Sequence, residues 1–187
     1  MPLDIEAVNL PKVDSYTYES SIPGIFIIGE LVEKPLIKCA INSGYEVMAG
    51  IDKSVTYEGH VGDPDAFDVI IIGAGAAGLS AGMEAINRGI KHIILEREKI
   101  AHSILELYKK TPIFTEPETL DVRGELWYEK CTKEELAKKW SQQVSEYGIN
   151  IKTGVNIVDI KNEKDYYKVI AENGDYYKAR RVVIAIG

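Results

Sequence analysis

Residues 73–78, Gly73-Ala74-Gly75-Ala76-Ala77-Gly78, form a G-x-G-x-x-G run between an apolar stretch and a segment rich in Ala, Leu and Met. These residue types at this spacing suit one task, holding the pyrophosphate of a dinucleotide. Gly73 permits a tight turn, Gly75 lets the backbone approach the phosphates, and Gly78 lets a helix pack closely on a strand. A helix opening at Ala76 and Ala77 presents free N–H groups and a partial positive charge to the anion. Glu96 closes a second apolar stretch 18 residues after Gly78. A carboxylate there accepts hydrogen bonds from ribose hydroxyls and repels a 2′-phosphate. Arg97 beside it joins the candidate set. The glycines leave NAD and FAD both open.

The other reactive side chains are scattered. Cys39 and Cys131 lie far apart with no Cys-x-x-Cys, so the sequence carries neither a dithiol pair nor a zinc spacing. A free cysteine commonly serves as a small buried hydrophobe. His60, His92 and His102 form no ligand spacing, and no metal site is expected. No residue qualifies as a catalytic acid, base or nucleophile from the sequence. His102 and Cys39 are the two worth inspecting, and for both the ordinary reading is structural.

Particular elements must position these residues. Residues 68–72 read as a buried strand, 76–88 as a helix ended by Gly89, and 91–96 as a second strand, which makes a βαβ unit. Upstream, residues 1–21 are polar and aperiodic, an expected extended arm. "GIFIIG", 24–29, reads as a buried strand, and Pro35 suits the first turn of the helix that follows to about residue 51. Residues 52–66, with Gly, Pro and Asp, read as a linker. Residues 99–131 read as a loop-rich crossover. Thr132-Lys133-Glu134-Glu135 is a capping box, and Leu136, Trp140, Val144 and Tyr147 behind it share one helical face that suits core packing. "NIKTGVNIVDI" reads as one or two strands, Asn173-Gly174 as a hairpin turn, and "RVVIAIG" as a last buried strand. The expected units are 1–21, 22–51, 52–66 and 67–187.

With 187 residues, 45% of them hydrophobic, the chain suits one ordinary domain or two very small ones. Its net charge is −7 and no basic cluster stands out, so nucleic acid and anionic membranes are not expected partners. No apolar run reaches membrane-spanning length and the N-terminus has no secretory pattern, so a cytoplasmic protein is expected.

Taken together, the βαβ unit, crossover helix, hairpin and "VVIAIG" resemble the FAD half of the flavoproteins with two dinucleotide-binding domains. "VVIAIG" is similar to that family's alanine-threonine-glycine motif, with Ile186 in the threonine's place. "GIFIIGE" followed by a helix is similar to its second FAD motif, with Glu30 where an aspartate is usual. Within the group the chain resembles the thioredoxin-reductase-like branch that lacks the dithiol, in which "PLIK-AIN-G" follows the Gly-acid motif. The resemblance covers roughly residues 22–187. It implies an α/β, Rossmann-like FAD-binding fold with a parallel sheet and a β-meander. It places Gly29 and Glu30 at the ribityl chain and pyrophosphate. It sets Pro35, Leu36 and Ile37 at the flavin pyrimidine end, Val155 at adenine through its backbone, and Ala185 and Gly187 in the closing motif.

The order is unusual. In a complete reductase the "GIFIIGE" motif comes after the NAD(P)H domain, whereas here it comes before the glycine loop. Two expectations follow. Either the chain is a circularly permuted FAD domain closed through residues 52–66, or residues 1–51 and 68–187 belong to two successive modules. No second G-x-G-x-x-G is present. The resemblance therefore implies an FAD-binding oxidoreductase part that lacks its NAD(P)H domain and takes NAD(P)H only through a homodimer or a partner domain. The alternatives are a non-catalytic nucleotide-binding or regulatory module, and an NAD-only Rossmann domain, against which the hairpin counts.

Overall fold

A computed structural model describes residues 10–33, 36–58, 63–106 and 110–187. Nine strands and four helices are named in it: β1 (Ile25–Ile27), α1 (Ile37–Glu58), β2 (Phe67–Ile72), α2 (Ala76–Asn87), β3 (His92–Glu96), α3 (His102–Leu105), β4 (Pro112–Ile113), β5 (Cys131–Thr132), α4 (Lys133–Tyr147), β6 (Ile151–Thr153), β7 (Ile157–Asn162), β8 (Tyr167–Ala171) and β9 (Tyr176–Ile184). Seven strands share one sheet in the order β6-β3-β2-β9-β8-β7, with β1 also on β9. The α/β class with a mainly parallel sheet and a meander is as expected.

Strand β9 is the pivot. One edge runs parallel to β2, from Phe67 opposite Ala179 to Ile72 opposite Ile184. Its other edge is shared. The first half pairs antiparallel with β8, and the last residues pair parallel with β1, Ile25 opposite Val182 through Ile27 opposite Ile184. The hairpin return and the closing strand, expected as two strands, are therefore one.

Side-chain parity sorts the core into two layers, because successive residues of a strand face opposite ways. Val69, Ile71, Ile94 and Val183 join α1, α2 and α4 in one buried cluster. Ile70, Ile93, Leu95 and Val182 join Tyr167, Val169 and Ala171 of β8 in the other. The meander thus covers the sheet face opposite the helices. That is why β2 and β3 read as continuous apolar runs rather than alternating ones.

Helix α1 buries Ile41, Val47, Met48 and Ile51, a stripe of helical spacing, against α2. The approach is close: a Cβ on Gly44 would lie 2.3 Å from the Ala77 carbonyl and 2.8 Å from the Ala81 nitrogen. The Ser80 hydroxyl donates to the Ile41 carbonyl at 2.7 Å. At the far end Arg88, the C-cap of α2, reaches Asp52 at 3.3 Å. Helix α1 thus continues through 58, into the stretch expected to be linker; residues 59–62 lie outside the described residues.

Two other expectations change. Residues 13–20 are not an extended arm, since Val13 bridges Ser20 and Glu19 bridges Phe26. Tyr18, with a positive φ of 62°, is buried there and its hydroxyl donates to Glu46 at 2.5 Å. The crossover holds α3 and the β4–β5 pair, and α1 fastens it. Lys38 Nζ donates to the carbonyls of Pro117 (2.9 Å) and Leu120 (2.8 Å), while Asn42 donates to the Asp121 carbonyl and accepts from the Arg123 N–H, each at 2.8 Å.

The Thr132 capping box forms, and Leu136 and Trp140 behind it are fully buried, with the indole N–H donating to the Trp127 carbonyl at 2.7 Å. Val144 packs only partly and Tyr147 is exposed. "NIKTGVNIVDI" resolves into the two strands β6 and β7, and Asn173-Gly174 turns β8 into β9.

His92 is buried at the start of β3. Its Nδ1 faces the Ile90 carbonyl at 3.1 Å and its Nε2 has no partner among the described residues. Burial pushes its pKa below the usual 6.5. Between the folded and unfolded values the unfolded chain binds more protons, so stability rises with pH through that window and levels off above the unfolded value. The urea midpoint should therefore fall as pH drops from about 7 to about 5, and less steeply in His92→Gln. Equal slopes would show that His92 is not the group responsible.

Candidate nucleotide-binding site

The C-terminal ends of β2, β3 and β9 lie side by side and open a cavity of about 600 Å³. In open α/β sheets a ligand crevice forms at this end of the strands. The G-x-G-x-x-G turn closes β2. Gly73 has φ +106°, and a Cβ on it would lie 2.7 Å from the Ala185 carbonyl. A Cβ on Gly78 would lie 1.9 Å from the Gly73 carbonyl. Gly75 differs, since nothing lies within 4 Å of its Cβ position. It is the N-cap of α2, and no side chain caps the first-turn N–H groups, Ala76 and Ala77 among them. Those donors are left for an anion.

Glu96 ends β3 against this turn. Its Oε2 accepts from the Ala74 N–H and its Oε1 from the Glu98 N–H, both at 2.6 Å. Its carbonyl accepts from the Val155 N–H at 2.9 Å. The Val155 N–H is thus already engaged, and contact with a base through this backbone falls to its carbonyl.

The cavity wall unites Gly73, Gly75, Glu96, Arg97, Val155, Ala185 and Gly187 from the expected set. It also brings in His102, Ser103 and Asn156, which the spacing argument did not single out as binding residues. His102 therefore shares this wall with Glu96 and Val155. Arg97 is largely exposed and pairs with Glu98 at 3.4 Å. Cys39 is not in the wall. Burial pushes the Cys131 thiol up, which leaves a poor nucleophile.

Ala76, Ala77 and Gly78, just behind the turn, and Gly29, Glu30, Leu36 and Ile37 lie outside the wall, and Pro35 lies outside the described residues. Gly29 and Glu30 nevertheless reach the site. They begin a 3₁₀ turn after β1. The Gly29 N–H donates to Ser43 Oγ at 3.2 Å, and a Cβ on Gly29 would lie 3.2 Å from the Ala77 Cβ. Glu30 Oε2 lies 3.6 Å from the Cβ position of Gly187, a wall residue. The segment that precedes the glycine loop by some forty residues therefore meets it in space. Leu36 is exposed just before α1. Ser43 was missed by sequence reasoning, and nothing short of the register of α1 against β1 could have revealed it.

Among the described residues, no His/Cys/Asp/Glu cluster suits a metal and no helix is long and apolar enough to cross a membrane.

A sequence model of the family described as pyridine nucleotide-disulphide oxidoreductase matches residues 70–187. A ferredoxin–NADP reductase of Picrophilus torridus is 34% identical over 123 residues, 65% of this chain and 34% of that protein. A 34.2 kDa protein of the rubredoxin operon of Clostridium pasteurianum is 31% identical over 120 residues, 64% of this chain and 35% of that protein. The match spans about a third of the length of such relatives. Among solved structures, a bacillithiol disulfide reductase from Staphylococcus aureus aligns with a TM-score of 0.58 at 22% identity, covering 66% of this chain and 39% of that one. A thioredoxin reductase from Streptococcus pyogenes aligns at 0.51 and 23%, covering 64% and 35%. At these identities the two structures speak to the fold alone.

Proposed function

The chain belongs to the pyridine nucleotide-disulphide oxidoreductase family, and from that premise we propose that it is the FAD-binding part of a thioredoxin-reductase-like or ferredoxin-reductase-like enzyme, with both FAD motifs folded into one permuted domain. One observation carries the reading: Glu30, from the segment ahead of the glycine loop, lies beside Gly187 at the wall of the cavity that the loop opens. Two unrelated modules joined in tandem would have no reason to close one sheet, as β1 and β9 do here.

The residues suit the cofactor. First-turn N–H groups of α2 would bind the pyrophosphate, with Gly75 leaving room for it. Glu96 would accept from the ribose. Glu30 would stand at the ribityl chain, and the positive end of α1 would favour negative charge at the flavin pyrimidine end. When bound, the flavin supplies the redox chemistry, and the protein supplies position and electrostatics. No Cys-x-x-Cys lies in these 187 residues, so a dithiol that takes electrons from the flavin would have to come from another domain or chain. NAD(P)H would have to be presented by another domain or chain.

The test is denaturing release of cofactor from purified protein, scored as FAD per chain. About one FAD per chain is expected for a single closed site. A colourless protein that takes up no added FAD overturns the reading, and one that takes up ADP but not FAD replaces it with a nucleotide-binding module.

A further inference from the structure

We infer that Glu96 is a positioning residue for the phosphate-binding turn, beyond any contact it makes with a ribose. The inference rests on the nucleotide reading of the cavity. Both carboxylate oxygens are engaged by backbone, Oε2 with the Ala74 N–H and Oε1 with the Glu98 N–H, each at 2.6 Å. These are short bonds to a charged acceptor, the stronger kind. The other side of the Ala74 peptide is held too, because its carbonyl accepts from the Ala101 N–H at 2.9 Å. Gly73 is tied to β3 through its N–H, which donates to the Leu95 carbonyl at 2.9 Å. The Ala74 peptide is thus fixed from both sides in the middle of the turn, and its N–H points at Glu96 rather than at the cavity. The donors left for a phosphate are those that follow, from the first turn of α2.

A carboxylate is required for this double grip. A glutamine offers one carbonyl oxygen and one NH₂, so it can accept from Ala74 or from Glu98 but not from both, and its NH₂ would face the other N–H. Glu96 also joins three walls of the cavity, since its own carbonyl holds Val155. Loss of the side chain should loosen the turn before any nucleotide arrives.

The test compares wild type with Glu96→Gln and Glu96→Ala by amide hydrogen exchange at Ala74 and Glu98 without ligand, and by calorimetric binding of ADP and of 2′,3′-dideoxy-ADP. The expected result is exchange faster by about tenfold or more at Ala74 in the alanine variant, where a charged hydrogen bond is lost. Affinity for both nucleotides should fall, for ADP by the larger factor because its ribose contact goes too, with the glutamine variant between alanine and wild type. A residue that served only the ribose would lower ADP affinity and leave the dideoxy nucleotide unchanged, and that outcome overturns the inference. Unchanged exchange at Ala74 overturns it as well. A wild type that binds neither nucleotide sinks the site reading and this role with it. Binding by wild type with a loss confined to ADP sinks this role alone.

Discussion

Gly75→Val is expected to abolish nucleotide uptake while leaving the chain folded. The Cβ position of Gly75 has nothing within 4 Å, and its backbone is extended, with φ −84° and ψ −167°, which a valine adopts without strain. The cost to the fold is that of a poorer N-cap, about 1 kcal/mol. The space the side chain fills is the approach to the first-turn N–H groups. Losing two charged hydrogen bonds there, at about 1.5–3 kcal/mol each, weakens binding on the order of a hundredfold or more. Gly78→Ala should behave in the opposite way. Its Cβ would lie 1.9 Å from the Gly73 carbonyl, a backbone atom that no rotamer change can move aside. Helix α2 would have to lift off the turn, costing about 3 kcal/mol. Melting curves and FAD titrations of the two variants separate these cases. Retention of wild-type FAD affinity by Gly75→Val would remove the pyrophosphate from this loop.

That division of labour among glycines was half legible in the sequence. The strand–turn–helix–strand unit follows from the motif, because each of its steric demands is local. Strand β9 was not legible as one element. Its first half is the edge of a meander with one face partly wet, so "YYKARR" alternates; its last part is covered on both faces, so "VVI" is continuous. A change of environment within one strand looks like two strands in the sequence. The end of α1 was missed for a related reason. "SVTYE" carries β-branched residues that favour strand or loop, yet the helix continues through them, anchored just upstream by Ile51 in the core and Asp52 on Arg88. Lys38 and Asn42 belong to the motif that suggested the family, but their work is to hold the 117–123 loop, a contact across some eighty residues that no spacing rule predicts. In the site, Glu96 was legible as an acid at a strand end, whereas its hold on Ala74 depends on the depth of the turn.

The joint between the early segment and the rest of the domain makes the strongest prediction about stability, and one helix supplies both experiment and control. Replacing a helical glycine by alanine gains about 0.5–1 kcal/mol when the site is open, because the unfolded chain loses freedom and the helix gains a better former. Gly50 of α1 is such a site, with nothing within 4 Å of its Cβ position, so Gly50→Ala should raise stability by about that amount. Gly44, two turns earlier, faces α2. Its Cβ would lie 2.3 Å from the Ala77 carbonyl, 2.8 Å from the Ala81 nitrogen and 2.8 Å from the Ser80 Cβ. Overpacking of this kind costs about 3 kcal/mol, which outweighs the helix gain and leaves Gly44→Ala less stable by about 2 kcal/mol. Prising α1 from α2 also draws Ser43 away from the Gly29 N–H, so FAD affinity should fall with stability. The same substitution on one helix thus has opposite signs at two positions, read as urea midpoints of the two variants. If Gly44→Ala matched Gly50→Ala instead, α1 would not be docked on α2, and residues 22–58 would be the end of one module lying ahead of another rather than part of the domain that carries the glycine loop.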